Sequence, residues 1–450
     1  MIDPALRRSY DLRGTVGVSL SEADAHGVGR AFAGMARARG LSRIAVSRDG
    51  RVSSPALEGA LVRGLVEGGM RVFRIPLGPT PLVSFTVHRL GLDGGIMVTG
   101  SHNPPDQNGF KLMLGGDPLF GDALGGLWEA DAGAAAGGAV EAVDLSEYYL
   151  DALVAELAGL PVANAVWDSG NGATGAMVER LAARLTARWG GRQETLFTAI
   201  DGAFPNHHPD PSVADNLRDV AAAVVRGGFD LGIAFDGDGD RVGVVDEAGE
   251  IVWADQLLLF LAQDVLAEQP GATIVADVKS SGTLFDGIAA AGGRAVMGAS
   301  GYVLVREAML RERSPLSGEM SGHIFFGDRW HFADDGMYVA MRALRALAQS
   351  GRSLKDFRES LPPVFATPEI RLPCPDDRKA EVLAGIAARA RGAVDRTDGI
   401  RVSGADGWWL LRASGTEPKL TARCEGWSAE GLERLRGTLE GHLRAFGLGL

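Results

Sequence analysis

Three carboxylates, Asp236, Asp238 and Asp240, alternate with glycines in one short loop of the sequence. The loop lies between two apolar runs, residues 231–235 and 242–245, which have the length and composition of strands. Carboxylates this close together repel one another unless a cation neutralises them, and a set of oxygen ligands suits Mg²⁺ or Ca²⁺. The loop therefore predicts a divalent metal site.

A calcium-binding EF-hand is the alternative for this loop, because Glu247 falls at the twelfth position counted from Asp236. An EF-hand requires glycine at the sixth position, where this chain has Arg241, and it requires flanking helices instead of strands. Both features favour a metal loop of a different kind.

A second loop could carry a phosphoryl group. Residues 99–104 (TGSHNP) follow the apolar run 95–98 and place Ser101 between a glycine and a histidine. An exposed hydroxyl at this position could act as a nucleophile or as a phosphate carrier, with His102 or Lys111 assisting. A serine-containing turn without a chemical role is the alternative for this segment.

Two further loops carry groups that suit a phosphorylated sugar. In residues 318–323 (GEMSGH), a carboxylate and a hydroxyl two positions apart would point the same way on extended chain and suit neighbouring sugar hydroxyls. In residues 412–419 (RASGTEPK), a guanidinium fork, two hydroxyls and a glycine describe a phosphate cradle without a Walker motif. A polar turn that binds nothing is the alternative for each loop.

A recurring unit positions these loops. A short β-branched run, a polar or glycine-rich turn and a helical pattern occur together three times, with strands at residues 43–46, 165–167 and 273–276. This alternation indicates βαβ units on a mostly parallel sheet, and a spacing of about 110–120 residues indicates domain-sized repeats. Ligands bind at the carboxyl ends of strands in open α/β sheets, so one loop per domain would face a central cleft.

The predicted fold is therefore α/β, with three similar domains that have mixed, mostly parallel sheets, followed by a C-terminal α+β domain. The glycine- and alanine-rich stretch 114–143 is interpreted as a flexible surface insertion that ends the first domain. The predicted domains are 1–146 with the Ser101 loop, 147–249 with the metal loop, 250–360 with the loop 318–323, and 361–450 with the loop 412–419.

Composition excludes several classes of protein. The 450 residues carry a net charge of −12, with no Lys/Arg run that could follow a nucleic-acid backbone. The longest apolar run, residues 257–262, is far shorter than the roughly 18 residues that span a membrane, and the polar start shows no signal-peptide pattern. Because Cys374 and Cys424 are expected to be reduced thiols, we expect a cytoplasmic protein, a monomer or weak dimer, that binds a small molecule.

A serine phosphate carrier, a divalent metal, a sugar-binding loop and a phosphate cradle are together the parts of phosphoryl transfer on a phosphosugar. The same motifs give the sequence a resemblance to the α-D-phosphohexomutase superfamily, and within it to the bacterial phosphomannomutase/phosphoglucomutase branch. The resemblance extends over nearly the whole chain. Besides the metal loop, it is carried by residues 10–14 (YDLRG), 101–104 (SHNP), 108–111 (NGFK), 204–211 (FPNHHPDP) and 412–419.

The resemblance implies a reaction and the residues that perform it. The family interconverts hexose 1-phosphates and hexose 6-phosphates of mannose or glucose through a phosphoserine and a hexose 1,6-bisphosphate, with Mg²⁺ as cofactor. It implies that Ser101 is the phosphoserine and that it completes a metal site with Asp236, Asp238 and Asp240. The implied catalytic residues are Ser101, His102, Lys111, Arg13 and Arg241, and the implied substrate-binding residues are Tyr10, Lys279, Tyr302, Glu319, Ser321, His323, Arg412, Ser414, Gly415 and Thr416.

The sequence departs from the family pattern at residues 299–302. Where this branch carries Lys-Thr-Gly-His, the chain has Ala-Ser-Gly-Tyr, so that a lysine and a histidine are missing. In the family this stretch helps to orient the sugar, and the relative preference for mannose and glucose therefore stays open. The alternatives are a phosphoglucosamine mutase, a metal-dependent phosphatase and a non-catalytic sugar-phosphate binding protein. Met320 and the segment 206–211 favour the mannose/glucose branch over the first of these.

Overall fold

The structure, a computed structural model, describes residues 2–130, 133–414 and 418–450. Four sheets lie within these residues, and they form three α/β units and a C-terminal α+β unit, as the sequence predicts. No helix in this part of the chain is long and apolar enough to cross a membrane. Cys374 and Cys424 are both buried free thiols.

The first sheet and its helices come from the N-terminal third of the chain. The elements are β1 (Leu12–Thr15), α1 (Glu22–Ala38), β2 (Arg43–Arg48), α2 (Ser54–Glu67), β3 (Arg71–Arg74), α3 (Thr80–Leu90), β4 (Gly94–Val98), β5 (Gln107–Leu114), β6 (Asp117–Pro118), α4 (Gly121–Gly125) and β7 (Ala139–Ala142). Helix α5 (Ser146–Ala155) follows β7 and leads into the second unit. The strand order is β1-β5-β4-β2-β3-β7, with β6 beside β5. Strands β4, β2, β3 and β7 run parallel, whereas β5 pairs antiparallel with β4 and β1.

In its described residues, 114–130 and 133–143, the glycine- and alanine-rich stretch is not the flexible insertion that its composition suggests. It contributes β6, α4 and β7, and β7 extends the parallel sheet beside β3. The physical reason lies in three leucines, Leu119, Leu124 and Leu127, which are buried in the core of the first domain. Each buried leucine side chain contributes about 1.5–3 kcal/mol of hydrophobic free energy, enough to hold a glycine-rich segment in place.

The second and third sheets repeat this plan with fewer strands. The second unit contains β8 (Ala165–Asp168), α6 (Gly175–Trp189), β9 (Gln193–Leu196), α7 (Arg218–Gly227), β10 (Leu231–Phe235), β11 (Val242–Asp246) and β12 (Ile251–Val252), in the order β12-β11-β10-β8-β9. The third contains α8 (Ala254–Glu268), β13 (Thr273–Asp277), α9 (Gly282–Ala290), β14 (Arg294–Gly298), α10 (Tyr302–Glu312), β15 (Leu316–Gly318), β16 (Ile324–Phe326), α11 (Gly336–Ser350) and α12 (Leu354–Ser360), in the order β14-β13-β15-β16.

The fourth sheet is antiparallel throughout its described pairings. Its unit contains β17 (Phe365–Ala366), β18 (Ile370–Pro373), α13 (Asp376–Ala387), β19 (Ala393–Asp395), β20 (Ile400–Gly404), β21 (Gly407–Ala413), β22 (Lys419–Gly426) and α14 (Ala429–Arg444). The order is β17-β22-β21-β20-β19, with β18 also paired to β22. The domain boundaries drawn from the sequence stay predictions.

The same connection carries the functional loop in each of the first three units. The loop of Ser101 joins β4 to β5, the aspartate loop joins β10 to β11, and residues 319–323 join β15 to β16. In every case a strand with a parallel neighbour turns into an antiparallel partner. The three loops therefore occupy equivalent positions, at the carboxyl end of a central strand.

The local sequence explains why these strands form. Every residue of β4 and β10 is buried, as expected for sheet strands covered by helices on both faces, and such strands read as continuous apolar runs. Ser21 caps the N-terminus of helix α1: its hydroxyl accepts from the Asp24 amide, and the Asp24 carboxylate accepts from the Ser21 amide.

One continuous hydrophobic core joins the first three units and contains, among others, Phe85, Trp167 and Phe326. The fourth unit has a core of its own, and a small cluster that includes Val278 and Trp408 packs between the third unit and the fourth. The first three units thus share one core, whereas the smaller cluster joins the fourth unit to the third.

Candidate active site

Ser101 lies in the turn after β4 with a left-handed backbone, φ 49°. Its hydroxyl donates to Asp236 Oδ2 at 2.8 Å, and its Oγ lies 3.2 Å from Nδ1 of His102. Ser101 is only 1% exposed, so the expectation of an exposed hydroxyl is wrong. The reason is tertiary: the aspartate loop of the second unit covers this turn. The structure thus brings the predicted phosphate carrier against the predicted metal loop.

The three aspartates form a compact, buried group of oxygen atoms. One carboxylate oxygen from each of Asp236, Asp238 and Asp240 lies within 4.8 Å of the others. Oδ1 of Asp238 and Oδ1 of Asp240 are buried without a hydrogen-bond partner, which is costly for a carboxylate unless a cation occupies the space beside it. The strands β10 and β11 flank the loop, as expected for a site other than an EF-hand. These residues fit a hard divalent cation such as Mg²⁺.

Burial and mutual repulsion both raise the pKa of these carboxyl groups, whereas nearby donors lower it. Burial, reinforced by the charges of Asp240 and Asp238, raises the pKa of the Asp236 carboxyl well above its ordinary value. Burial also works to raise the pKa of Asp238, but the Lys111 ammonium and the Thr80 hydroxyl outweigh it and hold that pKa below the ordinary value. Uncompensated negative charge of this kind is what a bound cation relieves.

The pKa values of Lys111 and His102 are shifted in opposite directions. Lys111 Nζ donates to Asp238 Oδ2 at 2.7 Å and also to Asp240. Although burial lowers the pKa of Lys111, these two carboxylates raise it above the ordinary value, so this side chain is a cation. The charge of Arg241, together with burial, lowers the pKa of His102 well below its ordinary value. His102 is therefore a neutral imidazole near pH 7, beside the Ser101 hydroxyl.

The two remaining predicted catalytic residues are arginines that bridge loops. Arg13, on β1, donates to the Gly100 carbonyl and pairs with Asp11 at 2.8 Å. Arg241 Nε donates to His323 Nε2 at 2.9 Å, and this contact joins the metal loop to the loop 319–323. With Nε2 accepting, Nδ1 of His323 carries the ring proton and faces the carboxylate of Asp334 at 3.1 Å.

The loop 319–323 is a tight turn and not extended chain. Gly322 N–H donates to the Glu319 carbonyl, and Glu319 N–H donates to the His323 carbonyl. The turn brings the Ser321 hydroxyl onto the Glu319 carboxylate. The prediction that the two groups lie together is confirmed, but the extended geometry behind it is wrong, because the backbone bonds of the β15–β16 hairpin close the turn.

Lys279 follows β13 and faces the same loop. Its Nζ lies 3.8 Å from Asp277 Oδ2. Burial opposes ionisation of Glu319, yet Lys279 and neighbouring groups lower the pKa of that carboxyl below its ordinary value. Glu319 is therefore a buried carboxylate, 7% exposed, available to accept hydrogen bonds.

Tyr302 belongs to the segment 299–302, which departs from the family pattern, and its ring lies between His323 and Tyr10. Its ring stacks on His323 with centroids 5.3 Å apart and meets the Tyr10 ring edge-on at 5.9 Å. Lys111 Nζ lies 6.0 Å from the centre of the Tyr302 ring. The aromatic ring thus contacts residues from the first and third units in the space where the family pattern has histidine.

The fourth unit reaches the site through Arg412 and Asp398. Arg412 Nε donates to Asp398 Oδ2 at 2.8 Å, and the same carboxylate accepts from the Ser300 amide at 3.0 Å. Ser300 in turn accepts, at its carbonyl, from the Tyr10 hydroxyl at 3.1 Å. Ser414 N–H donates to the Lys419 carbonyl. Two predicted members of the phosphate cradle, Gly415 and Thr416, lie outside the described residues.

Three contributing residues were missed by reasoning from the sequence. Thr80 donates to Asp238 Oδ2 at 2.5 Å, Asp334 faces His323, and Asp398 joins Arg412 to the third unit. Each lies outside the glycine-rich loops that drew attention, and two of them have a partner distant in the sequence, Asp238 for Thr80 and Ser300 for Asp398. No local pattern marks such residues.

Comparisons with known proteins decide the family. A phosphomannomutase/phosphoglucomutase from Pseudomonas aeruginosa is 40% identical over 444 residues, which cover 97% of this chain and 95% of that protein. This chain belongs to the phosphoglucomutase/phosphomannomutase family. Models of the family's α/β/α domains I, II and III match residues 5–123, 147–249 and 253–365, and the model of its C-terminal domain matches residues 369–441.

Other relatives agree with this family membership. A phosphoglucomutase from Neisseria gonorrhoeae is 40% identical over 439 residues, covering 95% of this chain and 94% of its own length. The crystal structure of a phosphoglucomutase/phosphomannomutase family protein from Burkholderia thailandensis superposes with a TM-score of 0.92 at 37% identity and covers all of both chains. Since family members are mutases, this chain is an enzyme, an intramolecular phosphotransferase.

Proposed function

We propose that this enzyme moves a phosphoryl group between the 1- and 6-positions of glucose and mannose phosphates through a phosphorylated Ser101. The observation that carries the proposal is the contact between Ser101 Oγ and Asp236 Oδ2 at 2.8 Å, which places a hydroxyl beside a buried oxygen site. Asp236, Asp238, Asp240 and an oxygen of phosphorylated Ser101 would hold Mg²⁺, which supplies positive charge beside the transferring phosphoryl group.

In the first half of the reaction, the bond from phosphorus to Ser101 Oγ breaks and a bond to a free sugar hydroxyl forms. The product is a hexose 1,6-bisphosphate, and the hydroxyl proton leaves to a base. Lys111 is held protonated by Asp238 and Asp240, so it stabilises charge on the phosphoryl oxygens instead of accepting the proton. The sequence offered His102 and Lys111 as proton acceptors, and of these two only the neutral His102 can accept the proton. His323 is a second imidazole within the site.

In the second half, the bisphosphate turns end for end and returns its other phosphoryl group to Ser101. Arg412 and the cradle around Ser414 would hold whichever phosphate is not reacting, since a guanidinium fork matches phosphate oxygens. Glu319, with the hydroxyl of Ser321, would accept hydrogen bonds from sugar hydroxyls, because both lie on the loop between β15 and β16.

The substrate test compares turnover of glucose 1-phosphate, mannose 1-phosphate and glucosamine 6-phosphate with Mg²⁺ and catalytic hexose 1,6-bisphosphate. We expect turnover of the first two. Turnover of the amino sugar alone would indicate a phosphoglucosamine mutase, and release of free phosphate without an isomerised sugar would indicate a phosphatase. Cytoplasmic location and a monomeric or weakly dimeric state remain predictions.

The residue test replaces Ser101 with alanine. We expect Ser101→Ala to abolish turnover, because no oxygen is left to carry the phosphoryl group. Ser47→Ala is the matched control: Ser47 is a fully buried serine of the same unit, and its hydroxyl donates to the Pro76 carbonyl at 2.7 Å. Near-normal turnover by Ser101→Ala would refute the proposed role of Ser101.

A further inference from the structure

Arg51 is among the largest fully buried side chains of the protein, and it contacts the backbone of the Ser101 loop. It follows the turn after β2, and no part of its side chain is exposed. Its two terminal nitrogens donate to four backbone carbonyl oxygens of one loop. The acceptors are Ser101 O at 2.6 Å, Asn103 O at 2.7 Å, Pro104 O at 2.6 Å and Gln107 O at 2.9 Å.

Asp49 holds the beginning of the same loop. Its Oδ2 accepts from the Thr99 hydroxyl at 2.8 Å, from the Gly100 amide at 3.2 Å and from Arg51 Nε at 3.2 Å. Thr99 Oγ1 in turn accepts from the Ser101 amide at 2.7 Å. The amide and the carbonyl of Ser101 are therefore both fixed, one through Thr99 and the other by the guanidinium.

The conformation that these bonds hold is unfavourable for serine. A φ of 49° places Ser101 in the left-handed region, which residues with a side chain occupy only when their surroundings impose it. Gly100 makes room for the guanidinium, because a Cβ at that position would lie 2.4 Å from Arg51 Cζ. On its other side the guanidinium lies 5.2 Å from the centre of the Phe204 ring, which comes from the second unit.

We propose that Arg51 is a positioning residue for phosphoryl transfer, which holds the backbone of residues 101–107 so that Ser101 Oγ faces Asp236. The inference rests on the proposed function of Ser101. Arg51 is buried beneath the loop and bonds its backbone, so it acts through the loop and not on the sugar. Lysine cannot replace it, because one ammonium nitrogen cannot reach four carbonyls that the guanidinium bonds through two nitrogens.

The test compares Arg51→Lys with the matched control Arg342→Lys. Arg342 is another fully buried arginine, which donates to Asp328 at 2.8 Å and lies 4.1 Å from the centre of the Phe326 ring, outside the site. Both variants are expected to lower the melting temperature. Arg51→Lys alone is expected to lower kcat by about a hundredfold with KM for glucose 1-phosphate nearly unchanged, because a misplaced Ser101 slows transfer without touching the sugar.

Hydrogen–deuterium exchange of the peptide 99–107 is the second readout, and it does not depend on turnover. Exchange in this peptide should be faster in Arg51→Lys and unchanged in Arg342→Lys. If Arg51→Lys does not fold, Asp49→Asn takes its place. The same fall in kcat and the same faster exchange are expected, since this variant weakens the hydrogen bonds from Thr99 and Gly100 that hold the beginning of the loop.

The outcomes separate this inference from the proposed function. A variant that keeps kcat within twofold of the wild type and keeps wild-type exchange in residues 99–107 would overturn the role of Arg51, even with a lower melting temperature. A wild-type enzyme that does not turn over hexose phosphates would overturn the proposed function, and with it the effect on transfer.

Discussion

Replacing Gly301 with alanine tests how the unusual segment 299–302 shapes the site. Gly301 has a φ of 129°, a conformation that strongly favours glycine, and its amide donates to Glu319 Oε2 at 2.9 Å. A Cβ at this position would lie 2.4 Å from the Tyr10 hydroxyl oxygen and 2.6 Å from Cζ of the same ring. Since ordinary contacts begin near 3.4 Å, the Tyr10 ring must move by about 1 Å.

The cost can be summed from the contacts that this movement disturbs. Backbone strain contributes about 1–3 kcal/mol. Losing the hydrogen bond from the Tyr10 hydroxyl to the Ser300 carbonyl costs about 0.5–1.5 kcal/mol, and weakening the edge-on contact between Tyr10 and Tyr302 costs up to about 1.5 kcal/mol. We therefore expect Gly301→Ala to lower the free energy of unfolding by about 1.5–6 kcal/mol and to lower kcat/KM for glucose 1-phosphate at least tenfold.

Gly292→Ala is the control for backbone strain alone. Gly292 lies in the same unit with a φ of 80°, and a Cβ there would meet no heavy atom within 4 Å. It should cost about 1–2 kcal/mol and leave kcat/KM unchanged. Thermal melting and steady-state kinetics of both variants are the assays. Equal melting temperatures for the two variants, with wild-type kcat/KM in Gly301→Ala, would refute the reasoning that Tyr10 is positioned by this segment.

Two further predictions concern charge. Arg412→Ala should raise KM for glucose 1-phosphate and glucose 6-phosphate alike, roughly ten- to a hundredfold, because we propose that both bound orientations use the same phosphate cradle; a rise for one substrate only would contradict this. Burial raises the pKa of the Asp335 carboxyl to about 7, so the folded state binds more protons than the unfolded chain between about pH 4 and 7, and stability falls as the pH rises through this window. Asp335→Asn keeps an acceptor for the Tyr149 hydroxyl and the Tyr338 amide, and should reduce this fall in the free energy of unfolding by up to about 3 kcal/mol between pH 5 and pH 8, as unfolding measurements at these two pH values would show. An unchanged pH dependence in that variant would show that Asp335 is not its cause.

Local patterns were sufficient to predict the buried strands and the cluster of aspartates between two of them. Continuous apolar runs at 95–98 and 231–235 indicated buried strands, and the alternation of aspartate with glycine indicated a cation site between two of them. These features are encoded in neighbouring residues, so the sequence alone is enough to recognise them. The composition of 114–143 was misleading, because glycine and alanine hid three leucines that anchor the segment in the core.

The sequence by itself determined which groups this enzyme has: a serine, a cluster of carboxylates, several cations and a loop predicted to bind sugar hydroxyls, in three α/β units and one α+β unit. Only the tertiary structure decided how they meet. Ser101 is buried against Asp236, Lys111 bridges Asp238 and Asp240, and Arg51 donates to the backbone carbonyls of the serine loop. These contacts join residues about 50 to 135 positions apart, and they arise because each loop leaves its sheet at an equivalent strand end while a shared core orients the sheets. No pattern of neighbouring residues records such an arrangement.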